Sequence, residues 1–156
     1  MEEKHFLLAL SQCPTLSPSR LKRLRDFFNT WEKIWKATET DLLRGGLQLP
    51  EANKFSAFKK TFDIETYLHE LRNKQIEFIA SDELLYPKLL LEIHNPPLLL
   101  YYQGNLEIFN QPSIAVVGPR QASFYGKQVV KKIVSELAQA GFLIISGLAL
   151  GIDTEA

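Results

Sequence analysis

The sequence predicts an α/β chain in two parts: a small helical module over residues 1–62, then over residues 63–156 the first part of a parallel sheet with its crossover helix. Three observations carry this. Through the first sixty residues apolar side chains recur at steps of three and four, with polar starters before them and no strand alternation. Further on, two continuous apolar runs, 114–117 and 142–145, flank an amphipathic segment of helical length, and continuous apolar strands belong to parallel sheets covered on both faces. Finally, 46% hydrophobic and 23% charged residues in a chain of 156 place it among ordinary globular proteins and exclude disorder, collagen and coiled coil.

In chain order, Phe6, Leu7 and Leu10 begin the helical pattern. Ser17 is a good N-cap, Pro18 fits the first turn behind it, and Leu21, Leu24 and Phe28 form the buried stripe of that segment. Trp31, Ile34 and Trp35 give the next turn of apolar contact. Thr40 caps 41–44 before Gly45 and Gly46 stop the helix, and Pro50 opens a segment whose Ala52, Phe55, Phe58 and Phe62 line one face. Asp63 then caps a helix with Ile64, Tyr67, Leu68 and Leu71 on a single side. The change of period alone sets the division near residue 62.

Residues 76–80 and 97–102 read as strands, separated by Tyr86-Pro87 and by the turn Asn95-Pro96-Pro97. The run 114–117 ends in Gly118, and Val129, Val130, Ile133, Val134 and Leu137 cover one side of the helix that follows. Gly141 ends that helix, 142–145 is the next strand, and Gly147 and Gly151 introduce another helix. Strand, glycine-bearing loop, helix and strand make a βαβ unit, right-handed and Rossmann-like. The last helix begins only a few residues before Ala156, and the sheet lacks the strands that would cover its edge. The sequence therefore reads as part of a longer polypeptide carrying an incomplete Rossmann-like domain.

Eighteen Lys+Arg balance eighteen Asp+Glu, so a nucleic-acid site must be local and not a property of the whole surface. The single cysteine, Cys13, builds neither a disulfide framework nor a cysteine zinc cluster and favours a reducing compartment. The acidic start matches no signal or transit peptide, and no apolar run approaches the roughly 20 residues a bilayer requires. The expected location is the cytoplasm, with no membrane association. His5, His69 and His94 are scattered, no two at a metal-ligand spacing, so neither metal nor catalytic histidine is expected.

Ligands of open α/β sheets sit beyond the carboxyl ends of the strands, where loops present N–H groups at helix N-termini. Two such loops follow the apolar runs: residues 118–126 and 146–153. Glycine lets the main chain approach an anion, Arg120 offers a planar bidentate fork, and Ser123 and Ser146 can donate hydroxyl hydrogen bonds. The pattern is no dinucleotide fingerprint, because Gly118 is not followed by the glycines of G-x-G-x-x-G. Nor is it a Walker loop: seven residues separate Gly118 from Gly126, and Gln128 stands where Ser or Thr would bind magnesium. Two readings fit these residues. One is a phosphate pocket; in the other the glycines only make tight turns and Arg120 is solvated or in a structural ion pair.

Four blocks in order carry a resemblance: Tyr86-Pro87-Lys88-Leu89-Leu90; Asn95-Pro96-Pro97-Leu98-Leu99-Leu100-Tyr101 with Gly104; Val116-Val117-Gly118-Pro119-Arg120 with Tyr125-Gly126; and Ser146-Gly147-Leu148-Ala149-Leu150-Gly151-Ile152-Asp153. Together they resemble the DNA-processing protein A (DprA/Smf) family over roughly residues 80–156, and the helical part before them resembles that family's N-terminal module, of the sterile-alpha-motif or helix-hairpin-helix kind. The resemblance implies an extended Rossmann fold that binds single-stranded DNA without cleaving it and helps load the RecA recombinase on incoming strands during natural transformation. It implies a binding protein and not an enzyme, with no metal or nucleotide cofactor, and with RecA and a second copy of the chain as partners through surfaces beyond residue 156. Carried over by position, Gly118, Arg120, Ser123 and Gly126 form the first backbone-binding loop, with Arg120 the principal phosphate contact. Ser146, Gly147, Ala149 and Gly151 form the second. Asp153 orders that loop by accepting N–H bonds, since a carboxylate beside phosphate is repelled. Pro119 stands where the family has Ser or Thr, which removes a hydroxyl and a backbone donor.

Two other functions compete. Nucleoside-monophosphate phosphoribohydrolases share the general fold and a glycine-and-arginine phosphate loop, but their second loop carries a threonine and a glutamate for catalysis, an arrangement absent from 146–153. The helical part alone could also serve as a protein-interaction module. Arg20, Lys22, Arg23 and Arg25 suit either a DNA-backbone contact or a solvated face; at helical spacing they lie at about 0°, 200°, 300° and 140° and so surround the apolar stripe instead of forming one patch. The spacing of Trp31, Trp35, Phe55, Phe58 and Phe62 points to core packing over base stacking. Tyr125, inside the first loop, either stacks on a base or braces the turn.

Overall fold

Six helices occupy the first half of the chain in the computed structural model, which describes residues 1–156: α1 (Glu3–Ser11), α2 (Pro18–Phe28), α3 (Trp31–Lys36), α4 (Glu39–Arg44), α5 (Leu49–Thr61) and α6 (Ile64–Asn73). Local chemistry sets most of their starts. Ser17 Oγ accepts from Arg20 N with Pro18 in the first turn, and the Asp63 carboxylate accepts from Glu65 N and Thr66 N. The Thr66 hydroxyl also donates to Asp63, which holds that carboxyl below the usual aspartate range.

Two starts differ from the sequence reading for one shared reason. The cap of α4 is Thr38, not Thr40: Thr38 Oγ1 accepts from Asp41 N at 3.2 Å while Thr38 N donates to Asp41 Oδ2 at 3.4 Å. Thr40 has Leu43 three residues on and cannot close such a reciprocal pair. Likewise α5 opens before Pro50, because Gln48 N donates to Glu51 Oε2 at 3.0 Å.

These helices enclose one apolar core that includes Phe6, Leu8, Leu24, Ile34, Leu42 and Phe55. Trp35 packs edge-on against Phe55, Phe58 and Phe62, so the aromatic series is core material. A helix as short as α3 cannot stand on its own hydrogen bonds, and side chains from two other helices close its ends. The Glu3 carboxylate accepts from Trp31 N at 2.8 Å and Glu32 N at 3.2 Å, and Lys59 Nζ donates to the carbonyls of Trp35 and Ala37, both at 2.9 Å. Burial lowers the Lys59 pKa. Glu3→Ala and Lys59→Met are each expected to cost about 1–2 kcal/mol, read as a lower urea midpoint for residues 1–104.

Strand β1 (Glu77–Ala80) pairs antiparallel with β2 (Leu99–Tyr102), Glu77 opposite Tyr102. Between them lie the short α7 (Lys88–Leu91) and the buried Tyr86, whose hydroxyl donates to the Pro97 carbonyl at 2.7 Å. The division expected near residue 62 falls instead inside a unit. The chain separates into Met1–Gly104 and Asn105–Ala156, because Ile64, Leu68 and Leu71 of α6 and Ala80 of β1 enter the same core as α1–α5. The change of period at 62 marks a new element and not a new unit.

The second unit holds a 3-10 turn (Leu106–Asn110), β3 (Ser113–Ala115), α8 (Phe124–Gln139), β4 (Leu143–Ile145) and α9 (Ile152–Glu155). Strands β3 and β4 are parallel with Ile114 opposite Ile144, and α8, capped by Ser123, crosses between them. This is the α/β arrangement the sequence predicts. Within residues 105–156, α8 has no fully buried side chain, and Ile133 of its apolar stripe is 48% exposed. No helix is long and apolar enough to cross a membrane.

Candidate functional site

Parallel strands send their carboxyl ends the same way, so the loops that follow β3 and β4 lie side by side. The ladder ends with Val116 N donating to the Ile145 carbonyl at 2.9 Å. Beyond it, a single carboxylate joins the two loops: Asp153 Oδ1 accepts from Gly118 N at 3.3 Å and Asp153 Oδ2 from Gly147 N at 3.2 Å. Ser146 Oγ donates to the Asp153 carbonyl at 3.3 Å, Thr154 Oγ1 donates to the Ala149 carbonyl at 2.5 Å, and Ile152 N donates to the Pro119 carbonyl at 3.3 Å.

Two glycines are required by this close approach. At Gly118 a Cβ would stand 2.6 Å from Cβ of the buried Ile152. At Gly151, with φ +94°, it would fall on the carbonyl oxygen of Pro119. The space left free by these missing side chains is therefore filled by the opposite loop, and not held open for a ligand.

The distribution of free donors follows. The amides of Gly118 and Gly147 are committed to Asp153, and that of Gly126 to Ser123 Oγ at 3.1 Å. The amides of residues 120–125 find no acceptor in the chain, and the exposed Arg120 guanidinium forms neither ion pair nor hydrogen bond. Amides 148–151 are also free. The first loop thus presents a run of unpaired N–H groups that leads into the positive end of α8, with Arg120 the sole cation on either loop. Such a surface is suited to an anion with several oxygens.

Of the residues singled out in the sequence, Gly118, Ser146, Gly147, Ala149, Gly151 and Asp153 converge where the loops meet. Ser123 and Gly126 form the cap of α8 next to them, and Arg120 shares the junction through its main chain, since its carbonyl lies against Gly151. Tyr125 is 77% exposed and its hydroxyl bonds to nothing, so it does not brace the turn. Phe124, 78% exposed beside it, escaped the sequence reading because it precedes the apolar stripe of α8.

A second feature that spacing alone leaves invisible is Glu155, whose two oxygens take Lys127 Nζ at 3.0 Å and Lys131 Nζ at 2.9 Å. Hydrogen bonds from Lys131 and then Lys127 hold its carboxyl below the usual range. The only sequence signal is two lysines four apart on the polar side of α8.

The basic cluster of α2 is largely occupied within its own unit. Arg20 pairs with Glu51, Arg23 Nη2 donates to the Gly46 carbonyl at 2.7 Å, and the Arg25 guanidinium stands 5.1 Å from the centre of the Trp31 ring; Lys22 alone stays exposed without a partner. No three His, Cys, Asp or Glu side chains converge as a metal-binding group.

A family model described as DNA recombination-mediator protein A matches residues 77–156. Protein Smf of Synechocystis sp. is 35% identical over 159 residues, spanning 99% of this chain and 40% of that protein. DNA processing protein DprA of Streptococcus pneumoniae is 46% identical over 71 residues, 46% of this chain and 25% of that one. The X-ray structure of DNA processing protein A from Streptococcus pneumoniae superposes with a TM-score of 0.74 at 27% identity, covering 100% of this chain and 53% of that chain. The chain thus spans well under two thirds of the proteins it matches.

Proposed function

Because the chain belongs to the DNA recombination-mediator protein A family, we propose that its two loops bind single-stranded DNA through the phosphate backbone, without cutting it and with little choice of sequence. One observation carries this reading. Asp153 spends both oxygens on drawing the loops together, and leaves the Arg120 fork and the amides of residues 120–125 unpaired at their rim. A phosphate seated there accepts from main-chain donors and from a bidentate guanidinium. The bases turn outward onto Phe124 and Tyr125, whose exposed faces stack on any base. In the whole protein, a strand held this way is passed to the RecA recombinase during natural transformation, and a second copy of the chain completes the assembly. Neither metal nor nucleotide cofactor takes part.

The test is fluorescence anisotropy with labelled oligo(dT) and mixed-sequence strands over a salt series. Binding is expected to weaken steadily with salt and to differ little between sequences; absence of binding at low salt, or a strong preference for one sequence, contradicts the proposal. Phe124→Ala and Tyr125→Ala are each expected to weaken binding by about 1–3 kcal/mol without altering the salt slope. Incubation with AMP separates this reading from a phosphoribohydrolase. No adenine is released if the protein only binds, and release with turnover overturns the non-enzymatic assignment.

A further inference from the structure

Four consecutive residues reach three different parts of the second unit, the two loops and α8. Ile152 packs against Gly118, Asp153 takes the amides of Gly118 and Gly147, Thr154 reaches the Ala149 carbonyl, and Glu155 bridges Lys127 and Lys131 on α8. We infer that Glu155 is a positioning residue for the two-loop cradle: by engaging Lys127 and Lys131 it fastens α9, and with it the Asp153 carboxylate, to α8. For DNA affinity, the inference rests on the function proposed above.

The bridge differs from an ordinary surface ion pair, which contributes little. The Glu155 side chain is only 17% exposed, and each of its oxygens meets a separate ammonium group. Ile152 holds the start of α9 to the first loop, through its N–H on the Pro119 carbonyl and its side chain against Gly118, whereas the Glu155 carboxylate supplies the ion pairs that tie the helix to α8. Asp153 sits two residues before Glu155 on that helix. A shift of α9 therefore pulls the carboxylate away from the amides of Gly118 and Gly147 at once. Lys127 and Lys131 are both turned onto Glu155, one carboxylate between two ammonium groups.

Glu155→Gln and the double variant Lys127→Met/Lys131→Met test this in the 156-residue chain. Amide hydrogen exchange at Gly118 and Gly147, measured without DNA, is expected to rise about tenfold or more in both variants while the amides of α1–α6 keep their protection. Affinity for oligo(dT) falls at every salt concentration with the slope against salt unchanged, since no phosphate contact is lost. Exchanging the charges in Glu155→Lys/Lys131→Glu is expected to restore part of the protection. Unchanged exchange at both glycines overturns the inference. It is equally overturned if the lysine variant lowers the salt slope while both glycines stay protected, because the lysines then touch phosphate themselves. Should Glu155→Gln lose protection throughout residues 105–156, the lysine variant decides. If the parent chain fails to bind oligo(dT), the functional proposal falls, whereas the exchange rates still decide the role of Glu155.

Discussion

Replacing Arg120 with alanine is expected to weaken binding of single-stranded DNA by about 1.5–3 kcal/mol at low salt, the range for a hydrogen-bonded pair with a charged partner. The loss should be equal for oligo(dT), oligo(dA) and mixed strands, because a guanidinium on phosphate reads no base. Removal of one phosphate contact also lowers the slope of log affinity against log salt by about 0.7 for a single strand. Arg120→Lys keeps the charge but not the planar fork, and its affinity is expected to lie between parent and alanine variant. Since the Arg120 side chain pairs with nothing in the free protein, neither variant should change stability by more than about 0.5 kcal/mol. Together these measurements distinguish a lost contact from a damaged fold. An alanine variant that binds like the parent at all salt concentrations removes Arg120 from the site.

Gly151→Ala is expected to have the larger structural effect. Gly151 has φ +94° and ψ −125°, a conformation that strains any residue with a Cβ. The added carbon would also meet the carbonyls of Pro119 and Arg120, main-chain atoms that cannot rotate aside. Moving them breaks the bond from Ile152 N to the Pro119 carbonyl and carries Asp153 away from Gly118. Strain and overlap together are expected to destabilise residues 105–156 by about 2–6 kcal/mol, with loss of DNA binding. Gly141 is the control within the same unit: its φ is +86°, but a Cβ there meets nothing within 4 Å, so Gly141→Ala should cost only about 1–2 kcal/mol and leave binding intact. Equal effects at the two positions, followed by urea unfolding or amide exchange, would show that close approach of the loops is not what Gly151 provides.

What the sequence reveals of this molecule depends on how far each determinant reaches. Ser17 with Pro18, and Asp63, are legible as helix starts because a cap and its amide are two or three residues apart. Thr40 misleads because a hydroxyl in the right neighbourhood is not enough; the deciding residue is Asp41, three positions after Thr38. The parallel pairing of β3 and β4 is legible in the two continuous apolar runs. The unit boundary is not, since it depends on α6 packing against α1, more than fifty positions earlier, and joining the core of the first five helices.

The same contrast holds at the site. Glycines after strands mark the loops, and the loops are where strand order puts them. That Gly118 and Gly151 make room for the opposite loop, and that the free amides belong to residues 120–125, depends on contacts across more than thirty residues of chain. Glu155 illustrates the limit: two lysines four apart are commonplace on a helix, and only the arrival of α9 beside them gives the spacing a purpose.

The most direct measurement of the central claim is an amide NMR titration of the 156-residue chain with short oligo(dT) at low salt. Shifts concentrated at residues 120–125 and 146–151, with the α2 face around Lys22 unmoved, are the predicted result. Shifts confined to residues 1–104, with both loops silent, would contradict it.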